Sequence, residues 1–386
     1  MIFKPSKRSI IEPFFAMEML REANQLEEKG KNIIHLEVGE PSAGAPSAVY
    51  MKAQKILDEK KPIPYTDALG ISILRERISE YYKSSYDVII PYQNIIITTG
   101  TSAGFVLSLL SAFDVGDKVA ISVPGYPAYK NILISLGLNP VEITTNKNQK
   151  YQPTLIQIKK LGNIDGIIVA SPSNPTGSIF DDKELEEITN YCDKKGIRIL
   201  SDEIYHGITY EKKALSIAGI SKSGIILNGF SKYFCMTGWR VGWLIVPDEL
   251  IKPIEKLSQN LFISTNALSQ MAAVDAFDCN DELQEIIKKY KINRDILIDS
   301  LNHMGISNIA PCDGAFYIYA DISHLTENSM LFCKDLLNNA GVAITPGIDF
   351  DQTNGKSFVR FSYSCDEENI VEASKRMLKW VKQINI

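Results

Sequence analysis

The stretch GIIVASPSNPTG, residues 166–177, joins a short apolar run to a turn that contains two prolines. The run Gly166–Ala170 is rich in β-branched residues and carries no charge, which is typical of a strand buried on both faces of a sheet. Polar residues directly after such a strand lie at the carboxyl edge of the sheet, where open α/β sheets bind ligands. The stretch therefore predicts a parallel sheet with a ligand site at the strand ends.

The same alternation of apolar runs and amphipathic stretches extends to both sides. Further strands are predicted at 94–98, 118–123, 140–144, 197–201, 224–228 and 241–246, and helices at 101–112, 126–136 and 182–195. Alternating strands and helices are typical of a mostly parallel sheet with helices on its faces. The sequence predicts an α/β fold in which a seven-stranded sheet is flanked by helices.

The pattern changes near residue 280, where a long polar helix begins and continues to about residue 304. Beyond it, the sequence predicts a mixed region with strands at 314–321 and 358–362, a helix at about 329–339 and a final helix that ends near Trp380. An amphipathic helix over about 14–29 is expected to pack on this region. We expect a large domain of residues 46–279 and a smaller α+β domain built from residues 1–45 and 280–386.

The composition excludes several classes of protein. The chain has 386 residues, a net charge of −5 and only nine arginines, so we expect no nucleic-acid partner. No apolar run approaches the roughly 20 residues needed to cross a bilayer, so no membrane association is expected. The N-terminus lacks the pattern of a secretory signal, which favours a cytoplasmic location. The six cysteines form no CxxC pair and the four histidines no HExxH motif, so no metal site is expected.

Two polar turns follow the first two predicted strands. In TTGTSAG, residues 98–104, the backbone and hydroxyl groups of Gly100, Thr101 and Ser102 could hold a phosphate at a helix N-terminus, although a purely structural turn fits the same residues. In VPGYPAY, residues 123–129, Tyr126 lies at a rigid turn where its ring could stack on a flat ligand. Neither turn matches a Walker loop or a dinucleotide fingerprint.

Two later strand ends carry an amide and an acid. Asn174 lies in the proline-held turn SPSNPTG, where it is either a fixed hydrogen-bonding group or part of a structural Asx turn. Asp202 follows a predicted strand and precedes Tyr205 by three residues, and an acid at this place is either a functional group or a helix cap. Both interpretations stay open from these residues alone.

The stretch NGFSKYFCMTGWRVGW, residues 228–243, carries the strongest chemical signal. Lys232 follows Ser231 in an aromatic, glycine-containing loop, eight residues before Arg240. Partial desolvation in such a loop lowers the pKa of an amine, which is the direction that a nucleophile needs. A lysine that simply extends from a loop into solvent is the alternative.

Taken together, these motifs resemble those of the pyridoxal-phosphate-dependent aminotransferases of fold type I, class I/II, over nearly the whole chain. The strong marks are SPSNPTG at 171–177, DEIY at 202–205, and SK at 231–232 followed by Arg240 in MTGWR. The weaker marks are GEP at 39–41, YT at 65–66 before Gly70, and VRFSY at 359–363 around Arg360. The resemblance implies an enzyme that moves an α-amino group between an L-amino acid and a 2-oxo acid, with aspartate and 2-oxoglutarate as the default pair.

The resemblance implies a role at the cofactor for five of these residues. Lys232 would hold pyridoxal 5'-phosphate as a Schiff base and move a proton during the reaction. Asp202 would face the pyridine nitrogen and keep it protonated, so that the ring accepts electrons. Tyr205 and Asn174 would hydrogen-bond the phenolic oxygen of the ring, and Tyr126 would stack on its face.

The resemblance also implies how the phosphate is held and how subunits associate. The phosphate ligands would be Gly100, Thr101, Ser102, Ser231 and Arg240, which combine charge, hydroxyl and backbone donors. Tyr65 would reach the phosphate of the neighbouring subunit. This implies a homodimer with shared active sites.

For the substrate, the resemblance implies a bidentate pairing of Arg360 with the α-carboxylate, with Asn174 beside it and the backbone of Gly39 closing the other side. The sequence departs from the family pattern at two places. Gly229 stands where many relatives have serine, and Ser102 and Ala103 stand where some aspartate-using relatives have a lysine or arginine.

Three other functions are alternatives to a transaminase. A carbon–sulfur β-lyase would use the same Lys232, Asp202 and Arg360. A non-catalytic regulator that binds the cofactor would need a DNA-binding module, for which the sequence before Gly39 leaves too little room. A dehydrogenase would need the GxGxxG fingerprint, which is missing.

Overall fold

The computed structural model describes residues 3–384. Its α-helices are α1 Phe15–Glu27, α2 Ser47–Asp58, α3 Ser72–Tyr86, α4 Gly100–Ala112, α5 Pro127–Leu136, α6 Leu155–Lys160, α7 Asp182–Lys195, α8 Asp248–Leu261, α9 Ala267–Ala273, α10 Asn280–His303, α11 Ser329–Ala340 and α12 Glu367–Ile384. None of these helices is both long enough and apolar enough to cross a membrane.

The strands build one large sheet and two small ones. They are β1 Ile34–His35, β2 Ile95–Thr98, β3 Lys118–Val123, β4 Asn139–Thr144, β5 Gly166–Ala170, β6 Arg198–Asp202, β7 Ile225–Gly229, β8 Gly242–Ile245, β9 Tyr317–Asp321, β10 Val342–Ala343, β11 Thr345–Pro346 and β12 Phe358–Ser362. The large sheet has seven strands in the order β2-β8-β7-β6-β5-β3-β4. This confirms the predicted α/β fold.

The large sheet is mostly parallel, as the sequence predicts. Strand β8 runs antiparallel to both of its neighbours, β2 and β7, whereas the other pairings are parallel. Each predicted strand of this sheet matches an observed one to within about one residue at either end. Helices cover both faces of the sheet, so its strands are continuous runs of buried, β-branched residues. Such runs are recognisable in the sequence, which explains the agreement.

The two faces of the sheet pack into separate cores. In β2, Ile96 belongs to the apolar cluster that contains Leu109 of α4, while Ile95 and Ile97 belong to the cluster that contains Ile78 of α3. All three isoleucines are buried. Alternate side chains of a strand point to opposite faces, so a run of consecutive apolar residues serves both cores at once.

Both ends of the chain contribute to the small sheets. Strand β1 pairs in parallel with β10, and β12 lies between β11 and β9 in an antiparallel sheet. Helix α10 packs on α12, and α11 on β10 and β11. The division of the chain at residues 46 and 280 into two domains stays a prediction.

The sequence did not predict every element of the fold. Those it missed are α2, α3, α6, α8, α9, β1, β10 and β11.

The reversed strand β8 decides which groups meet at the carboxyl edge of the sheet. Its first residue, Gly242, pairs with Thr98 at the end of β2 and with Gly229 at the end of β7. The loop before β8 therefore lies at the same edge of the sheet as the carboxyl ends of β2 and β7. This brings Arg240 to the same edge as Lys232.

Gly242 is closely packed against main chain, and this generates a test. A Cβ atom at this position would lie 2.6 Å from the backbone nitrogen of Thr101 and 2.8 Å from the carbonyl carbon of Gly100. The backbone of Gly100 and Thr101 cannot move away as a flexible side chain could. We therefore expect Gly242→Ala to lower the free energy of unfolding by about 1–3 kcal/mol.

Chemical denaturation measures this loss. Gly238→Ala is the control, because a Cβ there would meet nothing within 4 Å. If the two variants were equally stable, the close approach of α4 to β8 would be wrong.

Candidate active site

A cavity of about 320 Å³ lies at the carboxyl edge of the large sheet and collects most of the predicted site residues. Those that line it are Gly39, Thr101, Ser102, Tyr126, Asn174, Asp202, Tyr205, Ser231, Lys232, Arg240 and Arg360. Gly100 lies behind this lining, where a Cβ would come within 2.3 Å of the Arg240 guanidinium. Tyr65 is 82% exposed and lies outside the lining of its own chain's cavity.

Lys232 follows the end of β7, and its amine lies inside the cavity. Its Nζ donates a hydrogen bond to the carbonyl oxygen of Gly39 and lies 5.9 Å from the centre of the Phe316 ring. Burial lowers the pKa of Lys232 to about 8; the nearby charges of Arg360 and Arg240 act in the same direction, and that of Glu40 opposes them. The neutral, nucleophilic amine is therefore accessible near neutral pH.

Asp202 ends strand β6 and is buried. Its carboxylate accepts hydrogen bonds from the Tyr129 hydroxyl at 2.5 Å and from the backbone N–H of Ile204 at 3.1 Å. Burial raises the pKa of Asp202 to about 6, while these hydrogen bonds and the charge of Lys232 lower it, so the group is mostly ionised at neutral pH. No helix begins at this position in the described chain, which excludes the helix-cap interpretation.

Tyr129 was missed by the sequence reasoning, although a signal for it exists. It follows Tyr126 by three residues at the start of α5, and positions three apart share one face of a helix. The two rings lie 5.3 Å apart in an edge-to-face arrangement. Tyr129 therefore connects the half-buried ring of Tyr126 at the cavity to the buried acid Asp202.

Tyr317 is a second residue that the sequence reasoning missed, and no motif marked it within its predicted strand. Its hydroxyl lies 2.6 Å from that of Tyr205, and both side chains are buried. A Cβ on Gly39 would overlap the Tyr317 hydroxyl, at 1.8 Å. The glycine at position 39 is thus required by the close approach of a tyrosine from the other end of the chain.

Arg360 on β12 is 2% exposed and reaches the cavity between two aromatic rings. One terminal nitrogen donates to Asn174 Oδ1 at 3.0 Å, and the other donates to the carbonyl oxygen of Glu37. The guanidinium carbon lies 4.4 Å from the Tyr317 ring centre and 4.9 Å from that of Phe350. Its buried Nε has no hydrogen-bond partner in the described chain, which fits a site that receives an anionic group.

A second cluster of anion-binding groups surrounds Arg240. This residue has φ of +53°, an uncommon conformation for a residue with a side chain, which is often found at functional sites. Its guanidinium donates to the carbonyl of Thr237 at 2.9 Å and to the Ser231 hydroxyl at 3.5 Å. The N-terminus of α4 has no side-chain cap, so its first N–H groups remain available to an anion.

The glycine at position 229 has a packing explanation. A Cβ there would lie 2.6 Å from the hydroxyl oxygen of Thr101, which donates to the carbonyl of Asn228 at 3.1 Å. The Thr101 hydroxyl thus occupies the space that a larger residue at position 229 would need. This accounts for the first of the two departures from the family pattern.

The remaining lining of the cavity includes an apolar wall that the sequence reasoning did not assign to the site. We use the name apolar wall for Phe14, Met17, Phe105 and Ile132. Phe14 and Met17 are three residues apart on the predicted amphipathic helix, so their spacing predicts that they share one face of it. Their position over the cavity depends on how α1 packs.

Comparisons with known proteins identify the family of this chain. Residues 31–377 match the family model of aminotransferase class I and II. The chain is 41% identical over 379 residues to a valine–pyruvate aminotransferase of Mycobacterium tuberculosis, which covers 97% of each chain. It is 39% identical to a (5-formylfuran-3-yl)methyl phosphate transaminase of Methanocaldococcus jannaschii, over 98% of this chain and 100% of the relative.

A solved structure is also similar over the full length. The crystal structure of an aminotransferase from Mycobacterium tuberculosis superposes with a TM-score of 0.97 at 40% identity, covering 99% of this chain and 100% of that one. The chain belongs to the class I and II aminotransferases. It is a transaminase, as the motifs predicted.

The environment of Lys232 predicts a dependence of stability on pH in protein without bound cofactor. Its pKa of about 8 in the folded chain lies below the ordinary value of 10.5, so the folded state binds fewer protons than the unfolded state between these two pH values. The free energy of unfolding therefore gains a contribution that rises with pH in this window.

Lys232→Met removes this contribution. We expect the difference in unfolding free energy between the natural chain and the variant to rise from about pH 7.5 to about pH 9.5. Urea denaturation at several pH values measures it. A difference that does not change with pH would contradict the burial of a titrating amine.

Proposed function

We propose that this transaminase binds pyridoxal 5'-phosphate covalently through Lys232 and transfers an α-amino group between an L-amino acid and a 2-oxo acid. One observation carries the proposal. A single cavity brings a lysine amine of lowered pKa and a buried acid together with two guanidinium groups, Arg240 and Arg360. Neither guanidinium forms an ion pair with a carboxylate among residues 3–384.

The donor groups suit the two ends of this cofactor. The phosphate would be held by the guanidinium of Arg240, the hydroxyls of Ser231 and Ser102 and the backbone N–H groups of Gly100 and Thr101, all at the N-terminus of α4 or beside it. The ionised acid Asp202 would face the pyridine nitrogen, since a carboxylate there favours the protonated ring. Its hydrogen bond from Tyr129 keeps the carboxylate oriented.

The ring of the cofactor would be held by three further side chains. Tyr126 would stack on its face, and Tyr205 and Asn174 would donate to its phenolic oxygen. Tyr205 is in turn hydrogen-bonded to Tyr317. Bound in this way, the cofactor supplies an electron-accepting ring that stabilises negative charge at the substrate Cα.

The reaction needs a group that moves a proton, and Lys232 is placed for this task. After substrate has displaced it, Lys232 Nζ is a free amine of lowered pKa, and it would accept the proton from the substrate Cα and donate it to the cofactor carbon to which Nζ had been bonded. The Gly39 carbonyl oxygen, which accepts from this amine, keeps it directed into the cavity.

Arg360 would bind the α-carboxylate of the substrate. Its planar guanidinium is oriented by Asn174, Thr345 and two aromatic rings, and it lines the cavity. A bidentate contact with a carboxylate fixes the direction of the bonds at Cα, which selects the bond that breaks. The backbone of Gly39 would close the opposite side.

The active form is proposed to be a homodimer with shared active sites. Tyr65 and Ile63 are exposed on one surface loop, and Ile263 is exposed on a second loop that is hydrogen-bonded to the first. Exposure to water is unfavourable for large apolar side chains. A second copy of the chain would cover them. Tyr65 would then reach the phosphate of the neighbouring site.

For the substrate, the cavity favours an uncharged side chain over the aspartate and 2-oxoglutarate pair. The cationic groups in the lining, Lys232, Arg240 and Arg360, all have roles in the proposal, and Phe14 and Met17 of the apolar wall are hydrophobic. A valine–pyruvate aminotransferase is among the relatives at 41% identity. We propose neutral, apolar amino acids with pyruvate as the acceptor.

Replacing the lysine tests the cofactor assignment. Lys232→Ala is expected to abolish both the visible absorbance of covalently bound cofactor and turnover, because Lys232 is the only lysine that lines the cavity among residues 3–384. Absorbance of the dialysed protein and a coupled transamination assay measure the two effects. A variant that kept both would overturn the assignment.

A substrate screen tests the reaction class. With valine and pyruvate we expect a kcat/KM at least tenfold higher than with aspartate and 2-oxoglutarate, since an unpaired carboxylate in an apolar subsite is costly. The reverse order would favour the aspartate pair. Release of ammonia and pyruvate from cystathionine without any oxo acid would instead identify the carbon–sulfur β-lyase.

A further inference from the structure

Helix α1 begins without a cap of its own. Its N-cap residue is Phe14, which offers no side-chain acceptor to the first N–H groups. The carboxylate of Asp349 supplies the acceptors instead: Oδ1 accepts from the N–H of Phe15 at 2.9 Å and Oδ2 from that of Ala16 at 3.2 Å. A carboxylate at this position also complements the positive end of the helix.

Asp349 is well placed to act as a fixed anchor. It is 8% exposed and lies in a short turn directly after β11. Burial raises the pKa of Asp349 to about 6, whereas the hydrogen bond from Phe15 and the charge of Arg360 lower it and Glu18 raises it further. The carboxyl is therefore mostly ionised at neutral pH, with both oxygens able to accept a hydrogen bond.

The anchored end of α1 carries two residues of the apolar wall. The Phe14 ring lies 6.0 Å from that of Tyr126 in an edge-to-face arrangement, and Met17 lies one turn further along. Both line the cavity, but Asp349 does not. Asp349 can therefore act on the substrate in two ways, through the position of α1 and through its charge beside Arg360, and the second effect is shared by every amino acid.

We propose that Asp349 is a positioning residue that fixes the N-terminal end of α1 over the cavity, so that Phe14 and Met17 select amino acids with large apolar side chains. The proposal rests on the function proposed above for the cavity. The ligand class is L-amino acids with apolar side chains larger than a methyl group, together with the corresponding 2-oxo acids.

The effect of losing this anchor is selective for the substrate side chain. Lys232 and Arg360 act on the amino and carboxylate groups that every amino acid shares, and neither residue belongs to α1. A methyl side chain makes little contact with the apolar wall, whereas the side chain of leucine needs it. Weakening the anchor should therefore raise the KM for leucine much more than the KM for alanine.

Asp349→Asn tests this inference. The amide keeps the shape of the side chain but places an NH₂ group opposite an N–H donor, so one of the two capping hydrogen bonds is lost. We expect kcat/KM to fall about tenfold for leucine, mainly through KM, and no more than about threefold for alanine. Absorbance of bound cofactor should be unchanged.

Amide hydrogen exchange provides a readout that does not depend on activity. In Asp349→Asn, residues 15–19 are expected to exchange at least fivefold faster, because the first turn of α1 frays when its cap is weakened. Asp181→Asn is the matched control: Asp181 caps α7 by accepting from the N–H groups of Lys183 and Glu184, and it does not line the cavity. That variant should leave the leucine-to-alanine ratio unchanged.

A second variant tests the wall without touching the anchor. Met17 is 49% exposed, so Met17→Ala should fold normally, and it should lower the leucine-to-alanine ratio of kcat/KM. An unchanged ratio in both Met17→Ala and Asp349→Asn, or unchanged exchange in Asp349→Asn, would overturn the inference. If the natural chain turned over neither amino acid, the proposed function would fail, while the exchange experiment would still decide whether Asp349 anchors α1.

Discussion

Three cationic side chains, Lys232, Arg240 and Arg360, line one cavity, and the site depends on how their mutual repulsion is relieved. The two guanidinium groups stay charged, so Lys232 responds: burial and their charges lower its pKa to about 8. Carbonyl oxygens, hydroxyls and the side-chain oxygen of Asn174, rather than carboxylates, accept hydrogen bonds from the two arginines. Their charges are left to compensate anions that arrive from outside, which is what a phosphorylated cofactor and an amino acid carboxylate require.

The sheet topology brings these charges together. Parallel strands deliver Asp202 and Lys232 to one edge, and the reversed strand β8 adds Arg240 to it. Arg360 comes from a separate antiparallel sheet near the end of the chain. Glycines allow the segments around the cavity to approach closely. At Gly39, for example, the absence of a Cβ leaves space for the Tyr317 hydroxyl.

The selectivity of the cavity depends on a different set of contacts from its chemistry. The groups proposed to act on the amino and carboxylate parts of a substrate belong to strands and their ends, which pack into the apolar cores. The apolar wall includes Phe14 and Met17, which belong to the N-terminal helix. That helix is held at its start by Asp349, so a remote carboxylate influences which side chain fits without contacting it.

The sequence by itself determined the α/β class, the strands of the large sheet and most of the polar groups in the cavity, because these depend on local runs of apolar residues and on short motifs such as SPSNPTG. It missed Tyr129, Tyr317 and the Asp349 anchor. Asp349 and Phe15 are 334 positions apart, and the Tyr205–Tyr317 pair is 112 apart, so no local pattern encodes either contact. Only the tertiary structure decided them, since hydrogen bonds between distant residues depend on how the elements pack.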